Sequence, residues 1–457
     1  MAILEFINKY LLGASVPVAL MLSGVYFLVR LKFFPIVKAG RVSRALVGGG
    51  AAPFRALALS LAGTLGVGNV AGVAAAIFAG GFGAIFWMWA SAAVAAILKY
   101  AEILLAMRHR EPSRGGFKGG APYYVRAVLA PRFPRLATAL STLFALLCVA
   151  NCLSMGAVMQ TNAITDAFGG VFGISPAICG VVLAAATLAL LQGGGAAISR
   201  LNAYLVPFMS LFYTALSLAV IIPRRAELPM LFSRIISGAF DPRSAAGGFF
   251  GFLLSRALRF GVMRGLFSNE AGCGTSPTAH VTSSAPPCEQ GFMGIAEVFI
   301  DTVVLCTLTA LPLMLSYERV AGLSETPMRA VIAAYSSAFS PKFAPLVEGL
   351  MAFMVLCFGF AAISCLFHYA AECLGFLSRR RFFRRALALL YVLAVFAGAV
   401  TTPSAAWAIS DVTVGVMTLI NLSVLLYSSR EISDETQKYF EKSPNNRKFD
   451  KKFTKSS

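Results

Sequence analysis

Charge is what this 457-residue chain has least of. Asp, Glu, Lys and Arg make up 13% of it, against about 25% in an ordinary soluble domain. Too few charged groups remain to coat a water-facing surface of this size, so a soluble globular protein is excluded. Histidine is nearly absent, at three residues. No His/Cys/Asp/Glu cluster has metal-ligand spacing, and no nucleophile lies beside a base, so catalysis has no visible seat and neither a metal cofactor nor an organic one is implied. Acidic residues are outnumbered, 20 against 39 Lys and Arg. That basic excess forms no stripe interleaved with aromatics, and nucleic acid is excluded as a partner. A small-residue cleavage site is also missing after the apolar run at 11–29, so this run is expected to be a retained membrane helix, not a signal peptide.

What the chain has is apolar length. Hydrophobic residues make up 58%, and runs of 18 or more recur, each able to cross a hydrocarbon core of about 30 Å. Eleven segments can be drawn: roughly 11–30, 53–80, 83–107, 137–166, 175–192, 203–222, 247–275, 290–316, 346–376, 383–401 and 405–428. The expected fold is an all-α polytopic membrane protein, a single transmembrane domain over 1–430 followed by a polar cytoplasmic tail, 431–457, that is expected to be frayed or disordered. The nine cysteines fall almost entirely within apolar runs. Cys148 and Cys152 share a helix face, yet no further pair completes a zinc set, which leaves them as inert, buried thiols.

Lys and Arg give the orientation. They crowd the stretches after segments one, three and nine and the tail, with Arg379, Arg380, Arg381, Arg384 and Arg385 in one of them. Positive residues mark the inside, so the C-terminus is expected in the cytoplasm and the N-terminus outside.

Two of the apolar runs carry glycine-rich polar interruptions. One is Gly63-Thr64-Leu65-Gly66-Val67-Gly68-Asn69 in segment two. The other is Ser268-Asn269-Glu270-Ala271-Gly272-Cys273-Gly274-Thr275, closing segment seven. Unwound backbone at membrane depth is tolerated only where it is buried in protein or lines a cavity. Five spans separate the two starts, an odd number, so segments 2–6 and 7–11 have opposite orientation. This is an inverted-topology repeat (about 53–222 and 247–428) with segment one outside it, and in such repeats substrate and ions bind at the breaks near the midplane.

Several of these residues admit two readings. Gly66 to Ala71 fits a loose dinucleotide fingerprint, but no βαβ unit surrounds it. Close helix packing explains the small residues, though not Thr64 and Asn69 in the same short stretch as three glycines. Freed N–H groups there suit a carboxylate and freed carbonyls a cation. Glu270 is either a functional group, a proton carrier among the possibilities, or a structural one pairing with Arg264, and Asp301 is a similar case. Gln160 is interhelical glue or a substrate ligand. His368, alone on an apolar helix, is a core histidine or a proton relay.

The same residues resemble the alanine/glycine:cation symporters. The resemblance runs from about Phe54 to Phe440 and is carried by GTLGVGNVAGVAA (63–75), Gly83-Ala84-Ile85-Phe86-Trp87-Met88-Trp89, Lys99-Tyr100-Ala101-Glu102 and Gly120-Ala121-Pro122-Tyr123-Tyr124. It continues in GLFSNEAGCGTSPTAH (265–280), Val298-Phe299-Ile300-Asp301-Thr302 and Trp407-Ala408-Ile409-Ser410-Asp411. It implies a LeuT-like five-plus-five fold with broken segments 2 and 7. It also implies sodium-coupled uptake of small amino acids across the plasma membrane, with sodium the coupling ion. Thr64, Gly66, Val67, Gly68, Asn69, Gln160, Asn269, Gly272, Cys273 and Gly274 would border the substrate.

The chain departs from the family pattern at Val67, Ala361 and Ala362, where the family carries hydroxyls expected to help hold sodium. Hard cations want several oxygens, so the cation would fall to Thr64, Asn69, Ser364 and backbone carbonyls. Proton-coupled or uncoupled transport, with Glu270 or His368 as proton carrier, and a binding protein that does not transport are the alternatives.

Overall fold

The structure, a computed structural model, describes residues 12–48, 50–113, 116–240, 256–402 and 404–442. The start of segment seven (247–255), the first eleven residues and 443–457 of the tail lie outside the described residues. What is described is almost wholly helical, as an interior without water requires: a helix satisfies its backbone polar groups within its own segment. The long helices are α1 (Gly13–Arg30), α2 (Ala51–Thr64), α3 (Ala71–Gly80), α4 (Gly83–Arg108), α5 (Ala121–Leu129), α6 (Pro134–Asn151) and α7 (Gln160–Phe172). They continue with α8 (Pro176–Gln192), α9 (Gly194–Ile221), α10 (Leu228–Ala239), α11 (Arg256–Asn269), α12 (Pro287–Val298) and α13 (Cys306–Leu315). The last are α14 (Pro327–Ser336), α15 (Ala344–Leu377), α16 (Arg381–Val400), α17 (Ser404–Tyr427) and α18 (Ser429–Lys442).

Among the described residues, seven helical stretches are long and apolar enough to cross a membrane, or eight with the bent pair Ala51–Thr64 and Val67–Gly80, whose halves meet at 62°. Two shorter apolar helices, Ser15–Arg30 and Pro176–Gln192, accompany them. The outer helices turn large apolar residues outward: Ile178, Val181 and Val182 on α8, Phe208 and Leu211 on α9, Leu389, Leu390 and Leu393 on α16. A soluble monomer rarely exposes apolar patches of this extent, and a lipid-facing one must. The chain is an integral membrane protein.

Helix boundaries follow local chemistry. Pro134, Pro176, Pro287 and Pro327 open α6, α8, α12 and α14, where a missing N–H costs nothing. Gly173, at φ +67, ends α7 in the left-handed conformation that an L side chain avoids. At the packing level, small residues set how closely helices approach. A Cβ on Gly83 would lie 2.2 Å from the Gly238 carbonyl carbon, and one on Gly261 2.4 Å from Ala84 O. α4 is thereby clamped between α10 and α11, and it is buried along most of its length.

Three features are absent from the sequence reading. Two stretches, Cys152–Met159 between α6 and α7 and Phe299–Leu305 between α12 and α13, are π-helical, a geometry found mostly at functional positions. Glu111–Ser113 and Gly116–Lys118 pair as a short antiparallel hairpin. The tail, expected to be frayed, is helical over Ser429–Lys442 and docked: Ile432, Thr436 and Phe440 are buried. Its composition is polar overall, but these residues share one face.

Candidate functional site

The first break forms where the sequence places it. α2 ends at Thr64, a 3-10 turn spans Val67–Asn69, and α3 starts at Ala71. Leu65 N–H stays with Leu61 O, and Asn69 N–H takes Gly66 O. The Val67 amide is left to a side chain: Gln160 Oε1 accepts it at 3.0 Å. Gln160 can reach because it stands at the end of the first π stretch, where its own Nε2 donates to Met155 O at 3.2 Å. A Cβ on Gly66 would lie 2.9 Å from Gln160 Oε1 and 3.2 Å from the Ala362 Cβ, so a larger residue here would displace the Gln160 amide.

Asn69 reaches the other half of the chain. Its Nδ2 donates to Asp301 Oδ1 at 2.6 Å, and Thr309 Oγ1 donates to its carbonyl at 2.8 Å. Its Oδ1 is buried with no partner. Asp301 sits in the second π stretch, and its other oxygen accepts from Ser268 and from Thr302, the latter at 2.8 Å. Ser268 closes α11 at the second break. A single buried carboxylate therefore bridges the two interruptions.

The second break is built around strained backbone. Glu270 has φ +51, and Gly272 and Gly274 have φ +83 and +84, a region only glycine enters freely. Asn269 Oδ1 accepts from Ala271 N at 2.9 Å and fixes the turn, while its Nδ2 donates to Thr302. Glu270 accepts from Thr275 and keeps its second oxygen unpartnered. Arg264 does not pair with it; its guanidinium lies over the Trp407 ring at 4.3 Å.

The remaining expected site residues divide. Gly272 and Gly274 are engaged by Asn421 and Glu102. Asn421 Nδ2 donates to Gly272 O at 2.8 Å and to Glu102 at 2.9 Å, and Gly274 N donates to Glu102 at 3.1 Å. A Cβ on Gly274 would meet Phe144. Cys273, between them, is buried. Gly68 lies near the second break, with Phe267 O as the neighbour a Cβ would meet. Thr64 points back to Ser60 O and Leu61 O of its own helix. Ser364 exchanges hydrogen bonds with Asn202 and donates to Ala361 O. Of the three side-chain oxygens expected to hold a cation, only Asn69 Oδ1 is unpartnered. His368 is not a satisfied core histidine either, because its Nε2 has no partner.

A second polar cluster lies behind the breaks and escaped the sequence reading. Lys99 Nζ is 3.0 Å from Glu297 Oε1 and donates to Asn269 O at 2.8 Å, all fully buried. Glu297 also accepts from Ser60 at 2.8 Å and lies 2.9 Å from His280 Nε2, whose Nδ1 is 2.6 Å from Gln290 Nε2. One signal was available: an ionisable residue inside a membrane segment is a functional candidate by default, and Lys99, Glu102 and Glu297 all meet it.

A cavity of about 770 Å³ descends onto the first break. Val67, Ala71 and Ala75 form one wall, Met159, Asn162 and Ala163 another, with Arg264 and Trp407 also in the lining; Ile174–Pro176 and Ser324–Arg329 stand at its rim. The arrangement suits binding of a small polar solute: a cavity lined by Val67 of the unwound turn, with Asn162 and Arg264 also in its lining.

Comparison with known proteins agrees. The family model described as the sodium:alanine symporter family matches residues 1–455. The chain is 32% identical over 450 residues to the sodium/alanine symporter AgcS of Methanococcus maripaludis, covering 96% of this chain and 97% of that protein. It is 32% identical over 445 residues to the probable sodium/glutamine symporter GlnT of Bacillus subtilis, covering 94% and 88%. Identity is also 32% over 403 residues, 82% and 78%, with a putative sodium/proton-dependent alanine carrier of Bacillus subtilis. Matched by the family model almost end to end, and by these relatives over most of its length, the chain belongs to the sodium:alanine symporter family.

Proposed function

We propose that this protein carries small neutral amino acids, alanine or glycine, across the plasma membrane in symport with sodium, by alternating access. Eleven transmembrane helices in a LeuT-like five-plus-five inverted repeat, with one extra N-terminal helix, would carry it, the N-terminus outside and the C-terminus in the cytoplasm. The observation behind the reading is the bridge at Asp301, which ties Asn69 of one break to Ser268 of the other. A cation bound beside that carboxylate would link the positions of both breaks, as coupling requires.

The substrate would lie against Thr64 to Asn69, Gln160 and the Asn269–Gly274 turn. Its carboxylate would compete for the amide donors that Gln160 Oε1 now engages at Val67, and its amine would meet freed carbonyls. Sodium would take oxygen from Asp301 and Asn69 Oδ1, supplemented by Thr64, Ser364 or backbone carbonyls. A full carboxylate there offsets the missing hydroxyls at Val67, Ala361 and Ala362. The relatives named for sodium with alanine or glutamine support the substrate class. Uptake of radiolabelled alanine and glycine into proteoliposomes, with and without an inward sodium gradient, tests this. Absence of both sodium stimulation and mutual competition would sink it.

A second reading, proton-coupled or uncoupled transport in the same fold, has one observation in its favour: Glu270 keeps a buried, unpartnered carboxylate oxygen. It requires uptake driven by a pH gradient in sodium-free medium and its loss in Glu270→Gln. A binding protein without transport would bind alanine and give no flux.

A further inference from the structure

The cavity above the first break contains one cationic group that nothing so far accounts for. Arg264 lines it from α11. Its guanidinium carbon lies 4.3 Å from the centre of the Trp407 ring and 5.4 Å from that of Phe267. A guanidinium over an aromatic face is attracted by the ring and keeps its N–H groups for other partners. Nη1 is buried and has no hydrogen-bond partner. The other arginine in the lining, Arg329, is already engaged, its Nε 2.7 Å from Asp166 Oδ1. Asp411, one turn beyond Trp407 on α17, acts on Arg264 electrostatically.

An unsatisfied donor on a buried cation is costly to leave in place. Here it belongs to a residue lining the same cavity as Val67, the first residue of the 3-10 turn. The amide of Val67 is occupied by Gln160, so in this lining the donor left without an acceptor is on Arg264 and not on the helix break. An approaching carboxylate would complete the guanidinium's hydrogen bonding in a planar fork.

We infer that Arg264, backed by Trp407, forms an outer carboxylate-binding subsite that receives the α-carboxylate of the amino acid before it reaches the first break. The inference rests on the transport reading above and adds to it a residue that selects for the carboxylate. A substrate analogue lacking that charge gains nothing from Arg264.

The test uses the full-length protein in proteoliposomes, with radiolabelled alanine challenged by unlabelled alanine or by alaninamide, whose carboxylate is replaced by an amide. Arg264→Gln is expected to raise the half-inhibitory concentration of alanine about 10- to 100-fold and leave that of alaninamide unchanged. The wild-type preference for the acid would collapse. Arg264→Lys, which keeps the charge without the fork, is expected to fall between. A variant that weakens both compounds equally, or neither, overturns the inference. A measurement that needs no variant is phenylglyoxal labelling of the wild-type protein, with the modified arginines read by mass spectrometry. Arg264 is expected to react, and to be protected by saturating alanine but not by alaninamide. Labelling unaffected by alanine overturns the inference. Wild-type protein that neither transports nor binds alanine removes the parent reading and this one with it; normal wild-type uptake with an indifferent Arg264 removes this one alone.

Discussion

Asn69 and Asp301 are 232 positions apart in the chain, and the Asn69 Nδ2 lies 2.6 Å from the Asp301 Oδ1. The same carboxylate accepts from Ser268, so the two breaks share one acidic group without touching each other through charge of their own. A buried carboxylate is tolerated when its lone pairs are met by donors, and amide and hydroxyl donors supply that here. None of these donors carries a positive charge, and the negative charge of an ionised Asp301 is unbalanced within its own hydrogen-bond shell.

Replacing Asp301 by Asn keeps the shape and removes the charge. On the proposed reading, sodium then loses its one charged ligand. Hydrogen bonds and contacts to charged groups are worth about 1.5–3 kcal/mol, which is roughly 10- to 150-fold in affinity. Asp301→Asn is expected to raise the sodium concentration for half-maximal uptake by at least that lower factor, with the protein still folded by size-exclusion chromatography. Unchanged sodium dependence would place the cation elsewhere.

Gln160 stabilises the break whatever the substrate does. Its side chain takes the Val67 amide and returns a hydrogen bond to Met155 O. Gln160→Ala strands a buried N–H and opens space against Gly66, at a cost of about 1–3 kcal/mol. A fall in thermal unfolding midpoint by several degrees is the expected outcome. A variant as stable as the wild type would mean that water or backbone movement meets the Val67 amide.

Lys99 and Glu297 call for a double-mutant cycle. Removing one member of a fully buried pair leaves an uncompensated charge and costs about 3–5 kcal/mol. Lys99→Met and Glu297→Leu are each expected to destabilise by that order, and the double variant by clearly less than their sum. Full additivity would show that the ammonium is held by the Asn269 carbonyl and not by Glu297.

Which of this was legible in the sequence follows from distance along the chain. The first break declared itself because Gly63, Gly66 and Gly68 interrupt an apolar run within six residues. Gln160 stood out as an amide on an apolar segment, and Asp301 as a charge at depth. The partnerships were hidden: Lys99 meets Glu297, and Glu102 meets Asn421, across separations that no local pattern encodes. Both π stretches were invisible, because composition does not set a one-residue insertion in a helix. The docked tail was misjudged for a related reason. Its partners lie far away in the chain: Phe440 packs against Phe34 and Phe292, and its carbonyl accepts from Arg41.

That docked tail gives a pH prediction with a definite sign. Glu431 of α18 is 3.0 Å from His109 Nε2 and 2.6 Å from Arg108 Nε, both at the end of α4. The hydrogen bond from His109, and then Arg108, holds its carboxyl below the ordinary value of 4.5. A depressed carboxyl stabilises the docked state fully above the unfolded value and loses that contribution as the pH falls through the lower, docked value. The contribution of the Glu431 carboxyl to docking is therefore expected to be fully present above its unfolded value of 4.5 and to be lost only below it. Arg108 is 43% exposed and Glu431 30%, so screening limits the pair to about 0.2–1 kcal/mol. Amide hydrogen exchange over 429–442, corrected for intrinsic rates, should show protection dropping about two- to fivefold in Glu431→Gln at neutral pH. In that variant the acid-induced loss below pH 4.5 should largely vanish. If Glu431→Gln keeps the full acid response, some other carboxylate controls the tail, and Glu435, 2.9 Å from Arg108 Nη1, becomes the residue to replace.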